Sequence, residues 1–264
     1  MLSRELGRCD FLFITLDTLR YDVAAESMSQ GKTPNLARYL PNQQWEERHS
    51  PGSFTYAAHQ AFFAGFLPTP VAPGKHVRPI ALRFAGSETT GEDTFVVEGA
   101  NIVEGLAQQG YRTICIGGVG FFNPKNPLGR VLPSMFQESY FEASFGVTDQ
   151  DSTKHQLDFA IRRVAKLSAE QKVFLFINVS ALHQPNYFYQ EGATKDSKET
   201  HAAALSYVDQ QLPRLFDFFA ARRRTAVILC SDHGTLYGED GHTGHRVGHP
   251  LVWTVPYAEF MLGA

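Results

Sequence analysis

A few short stretches of the 264-residue sequence carry side chains that could do chemistry together. Asp17 directly follows the apolar run Phe11 to Leu16. A carboxylate in that place is costly to bury unless it is paired or bound to a metal. It is a ligand, a helix cap, or an ion-pair partner of Arg20. Asp232, His233 and Gly234 follow a second apolar run in the same way. A carboxylate, an imidazole and a small residue suit a divalent cation of the zinc or manganese kind. Thr55 sits where a loop of small residues runs into a helix-like stretch that Gly65 ends. A hydroxyl at a helix start has free backbone N–H groups around it, which makes an anion cradle, or it serves only as an N-cap. His59 follows one turn later on the same side, reaching the same ligand or standing as an ordinary surface histidine. Finally, His233, His242, His245 and His249 fall between Ser231 and Pro250, beside Glu239 and Asp240. A solvated loop has no need of that concentration; a metal or phosphate site does.

The elements between these stretches say how they could meet. Phe11–Leu16, Arg112–Ile116, Val173–Asn178 and Ala226–Cys230 are short apolar runs, the pattern of strands buried on both faces. Helical periodicity runs from Asn101 to Gln109, from Ser152 to Leu167, and from Leu205 to Phe219, where Pro213 is a candidate kink. Thr33-Pro34-Asn35 has the form of a helix start. Alternating strands and helices predict an α/β fold: a three-layer αβα sandwich with a mostly parallel central sheet, in one domain spanning residues 1–264. In such sheets ligands bind beyond the carboxyl ends of the strands. Asp17, the stretch from Asn178 to His183, and Ser231-Asp232-His233 all occupy that edge. Residues 68–79, rich in proline, and 117–133, rich in Gly, Pro and Asn, read as loops, the second a long surface loop.

Composition narrows the class. A net charge of −3 leaves no basic footprint for nucleic acid. The one tight basic run, Arg222-Arg223-Arg224, suits a solvated helix C-terminus. Three cysteines, Cys9, Cys115 and Cys230, make a disulfide framework improbable, and the last two read as buried thiols. No run reaches the roughly 18 apolar residues of a membrane span, and the start lacks a signal-peptide core. A cytoplasmic, soluble protein is expected.

These elements, in this order, resemble the sulfatase/alkaline-phosphatase superfamily over nearly the whole chain. Phe13-Ile-Thr-Leu-Asp17-Thr-Leu-Arg20-Tyr-Asp22 resembles its opening strand and first metal aspartate. Thr33-Pro34-Asn35 is similar to the segment that follows, and Ser53-Phe54-Thr55 through Gly65 to its nucleophile helix. Gly110-Tyr111-Arg112-Thr113 and His183-Gln184-Pro185 resemble further recurrent segments. Ser231-Asp232-His233-Gly234 is the most specific match. The run from Cys230 to Phe260 is also similar to a bacterial branch of sulfatase-like hydrolases.

The resemblance implies a metal-dependent hydrolase or transferase of phosphoesters, working through a phospho-threonine on Thr55. Asp17, Thr55, Asp232 and His233 would be the metal ligands, with His59, His183 and His245 as further catalytic residues. The implied ion is zinc or manganese, with magnesium and calcium as alternatives. The substrate is a small-molecule ester. Thr55 departs from the Cys-x-Pro-x-Arg context of formylglycine sulfatases and cannot be converted to formylglycine. It resembles instead the phosphodiesterases and the phosphoethanolamine or phosphoglycerol transferases. A sulfatase-like or phosphonate-ester hydrolase, or a non-catalytic metal-binding member of a biosynthetic assembly, are the alternatives. Two-metal members carry an Asp four residues before a His; Val179 holds that place before His183. Many relatives also have an additional C-terminal region, so a second copy or a partner protein is expected to complete the substrate site.

Overall fold

The computed structural model describes residues 5–65 and 101–263. In chain order the elements are β1 (Asp10–Leu16), α1 (Tyr21–Ser29), α2 (Pro34–Tyr39), β2 (Glu46–His49) and α3 (Thr55–Ala64). Then come α4 (Ile102–Gln108), β3 (Arg112–Ile116), β4 (Glu138–Tyr140), α5 (Ser152–Val164), β5 (Val173–Val179) and α6 (Lys198–Arg222). The described chain ends with β6 (Thr225–Cys230), β7 (Leu236–Tyr237), β8 (Thr243–Gly244), α7 (Pro250–Trp253) and β9 (Thr254–Leu262). The proline-rich stretch 68–79 lies outside the described residues. Among these, no helix is long and apolar enough to cross a membrane.

Seven strands form one sheet in the order β2-β9-β6-β1-β5-β3-β4. The five from β6 to β4 are parallel, and β9 and β2 add an antiparallel edge. The period-2 alternation of β1 divides the layers. Leu12, Ile14 and Leu16 join a core with α1, α2, α5 and α6, whereas Phe11 and Phe13 face a second core with Phe63 of α3 and Val103 and Leu106 of α4. The three-layer α/β sandwich expected from the sequence is therefore the architecture found.

Several local expectations are corrected. The strand series does not close at β6, because β9 pairs with it. β9 carries Pro256 and Glu259, and β2 is the charged sequence Glu-Glu-Arg-His, exposed throughout. Edge strands need no apolar run, so they escape a search for one. Residues 117–133 do not simply cover the surface, since Phe122 and Leu132 are buried in the second core. α6 continues through Pro213 as one helix. Thr33 precedes α2 but makes no cap bond; the Asp209 carboxylate of α6 accepts from the Asn35 and Leu36 amides instead. The arginines after α6 are tied rather than simply solvated: Arg222 pairs with buried Asp10 and Arg224 with Glu5. All three cysteines are free and buried.

Candidate metal centre

Strand register brings the two aspartates together. Thr15 of β1 pairs with Cys230 of β6, so Asp17 and Asp232, each two residues further on, leave the sheet side by side. Thr15 also pairs with Asn178 of β5, and the Asn178 side-chain amide donates to Asp17 Oδ2 at 3.0 Å. Asp232 Oδ1 accepts from the backbone amides of Thr18 at 3.2 Å and His233 at 3.0 Å. The first of these bonds depends on Thr18 standing at φ +65, a conformation rare for a β-branched residue. Each carboxylate thus has one oxygen tied down. The others, Asp17 Oδ1 and Asp232 Oδ2, are buried without a hydrogen-bond partner.

Burial without partners disfavours charge. Burial and then the Asp232 charge push the Asp17 carboxyl up from 3.8 to about 6. Burial likewise pushes Asp232 up to about 7. Two neighbouring buried carboxylates, each with an unpartnered oxygen, suit a cation. His233 Nδ1 lies 2.9 Å from the Gly234 carbonyl and donates to it, which leaves Nε2 as a lone-pair donor on the same side as the carboxylates. Asp17, Asp232 and His233 present ligand atoms all within 4.8 Å of one another. Gly234 is required here, because a Cβ would stand 2.0 Å from the Leu251 carbonyl oxygen.

Thr55 completes the set. It is the first residue of α3, after the cap position at Phe54. The hydroxyl lies 3.4 Å from Asp17 Oδ2 and 3.3 Å from His233 Nε2. A tetrahedral ion with ligands at about 2.1 Å keeps them about 3.4 Å apart, so these residues fit a zinc-like ion.

His59 is no surface histidine. It is fully buried, with Phe62, Phe63, Phe122 and Phe176 around its ring. Nδ1 donates to the Thr55 carbonyl at 2.7 Å, and Nε2 lies 3.0 Å from the Thr15 hydroxyl, which donates to it. Burial drives its pKa down to about 3, so it is neutral and props the first turn of α3. Arg20 pairs with Asp22 and Glu239, not with Asp17. The Glu239 contact pins the loop that carries the remaining histidines.

Of those histidines, His245 packs on His233 with ring centroids 4.6 Å apart, and His183 lies 5.5 Å from His245. His242 is exposed. His249 faces Asp240 and accepts from the Leu251 amide at the start of α7, so it caps a helix turn. Thr18, Thr15 and Asn178 position the ligands although their types alone announce nothing. Their proximity to Asp17 in sequence or across the sheet was the one available signal.

The sulfatase family model matches residues 10–256. Solved structures share the fold. The soluble domain of a lipooligosaccharide phosphoethanolamine transferase from Neisseria meningitidis is similar at a TM-score of 0.66 and 15% identity, over 97% of this chain and 77% of that one. The C-terminal periplasmic domain of EcEptC from Escherichia coli, solved as a complex with Zn, gives 0.63 and 12%, over 96% and 73%. A phosphonate monoester hydrolase of Agrobacterium radiobacter gives 0.60 and 15%, over 96% and 68%. No curated protein matches the sequence significantly.

Proposed function

Because the chain belongs to the sulfatase family, we propose that it is a metal-dependent hydrolase or transferase of phosphoesters with Thr55 as its nucleophile. The observation that carries this reading is the Thr55 hydroxyl, within 3.4 Å of both Asp17 and His233 at the start of α3. Asp17, Asp232, His233 and Thr55 would hold the ion. A bound divalent cation supplies positive charge that lowers the pKa of the hydroxyl and offsets charge on the phosphoryl oxygens.

The chain's own residues do the rest. The hydroxyl donates toward Asp17 Oδ2, which turns an oxygen lone pair outward. Attack in line forms the bond from Thr55 Oγ1 to phosphorus and breaks the bond to the leaving oxygen; the Thr55 proton is given up on the Asp17 side and passes to solvent, and the leaving oxygen takes a proton from solvent in exchange. Water or an acceptor hydroxyl then takes the phosphoryl group from Thr55. His183 and His245, beside His233, stand where N–H groups can donate to non-bridging oxygens. Burial lowers the His245 pKa to about 3, so it donates as a neutral imidazole. His59 acts through Thr55, as a positioning residue. The fold likeness to a phosphonate monoester hydrolase supports phosphonate or sulfate esters as a second reading.

Purified protein assayed on aryl phosphate mono- and diesters, phosphonates and sulfates, with zinc or manganese, tests both. Metal-dependent phosphoester turnover is expected. Turnover of sulfates alone, or turnover indifferent to chelation, would sink the reading. His183→Ala and His245→Ala are each expected to lower kcat about 10²-fold or more while changing zinc affinity far less.

The ion's effect on stability should depend on pH. Raised folded pKa values mean that Asp17 and Asp232 contribute stability below pH 4 that is lost as pH rises through about 6 to 7. The lowered values of His59 and His245 act in the opposite sense, so the metal-free curve is a balance of the two. Zinc must displace the carboxyl protons, which are gone at pH 8. The zinc-induced rise in Tm is therefore expected to be larger at pH 8 than at pH 5. Equal shifts by calorimetry would place the ion elsewhere.

A further inference from the structure

Next to His245 stands a cation that the chemistry above does not use. Arg246 is exposed, and among the described residues its guanidinium has no carboxylate partner. Arg20 and Arg222, by contrast, are both paired with acids. The Arg246 backbone amide donates to the Ser53 carbonyl at 2.8 Å, two residues before Thr55. The guanidinium lies over the Phe54 ring, 5.6 Å from its centroid, and Phe54 immediately precedes Thr55. Phe54 is flanked in turn by Phe121, at 6.1 Å between centroids, which also packs on Tyr56. The backbone bond to Ser53 and the place over Phe54 set Arg246 beside Thr55 and not on a remote surface.

Taking the phosphoester reading as given, we propose that Arg246 forms an anion subsite on the Phe54 wall. It selects esters that carry a second negative charge, a carboxylate or a second phosphate, away from the reacting phosphorus. A guanidinium held over an aromatic ring by a cation–π contact can still offer its N–H groups to a planar carboxylate or a phosphate in a bidentate fashion. No acid among the described residues has to be displaced before it meets a substrate anion.

The test uses three aryl phosphates matched in leaving-group pKa: one uncharged on the ring, one with a remote carboxylate, one with a remote phosphonate. Wild-type kcat/KM is expected to favour at least one charged ester by about tenfold, the scale of one charge-assisted contact. Which of the two is favoured identifies the second anion. Arg246→Gln, which removes the charge but keeps a planar polar end, should remove the preference while leaving the uncharged ester nearly unaffected; Arg246→Lys, which keeps the charge but not the planar fork, should retain only part of it. A preference unchanged in Arg246→Gln, or none in wild type, overturns the proposal. Calorimetric binding of the corresponding aryl phosphonates, with zinc present, needs no turnover. An Arg246-dependent affinity difference there without turnover of any ester would uphold the subsite and refute the phosphoester reaction. Absence of that difference refutes the subsite whatever the enzyme turns over.

Discussion

Thr55→Ala is expected to abolish turnover, with kcat falling by roughly 10⁴-fold or more, as when a covalent nucleophile is removed. The fold should not suffer. Thr55 is the first residue of α3 and not its cap, its hydroxyl faces Asp17 and His233, and Ala is the better helix former. The backbone carbonyl that His59 bonds is unchanged by the substitution. Zinc affinity should fall only modestly, because Asp17, Asp232 and His233 remain. Steady-state kinetics, with mass spectrometry of enzyme quenched during turnover, checks this: wild type should show phosphate on Thr55 and the variant none. Near-normal turnover by Thr55→Ala would assign the attack to water and reduce Thr55 to a side chain that lines the site.

The second large effect is expected from Asp232→Asn, and it has two signs. Turnover and zinc binding should both collapse, with activity down by about 10³-fold, since the variant loses charge worth several kcal/mol to the transition state. Metal-free stability should rise instead. In wild type, Asp17 and Asp232 face each other buried, each with an unpartnered oxygen. Asn at position 232 keeps an oxygen for the Thr18 and His233 amides and removes one of the two buried acids. At pH 8 and without metal, the variant should therefore unfold at a higher Tm than wild type, yet show no response to zinc. Titration calorimetry and thermal unfolding on the same samples decide it. Retained zinc affinity would remove Asp232 from the site, and a lower metal-free Tm would show that the carboxylate pair is stabilised by partners other than an ion.

The sequence by itself determined the α/β class, because strands buried on both faces must be apolar runs and surface helices must alternate at a period near 3.6. It also determined Asp17, Asp232 and His233 as candidates. A polar residue immediately after a buried strand is exceptional locally, and the sheet rule says which edge it occupies. The antiparallel edge was not legible, since β2 and β9 owe their place to pairing and not to composition. Nor could the roles of the histidines be read. His59 and His245 are the same residue type, each following a candidate ligand in the sequence. One is locked between Thr15 and Thr55 in an aromatic core, and the other packs on His233 at the centre. Arg20, three residues after Asp17, pairs with Asp22 and with Glu239, 219 residues away, rather than with Asp17. Thr18 supports Asp232 only through a φ that its type disfavours. Each of these depends on where a distant segment comes to rest. Hydrophobic periodicity is a property of neighbours along the chain, whereas hydrogen-bond partners and ion pairs are set by strand register and loop packing, which only the tertiary structure decided.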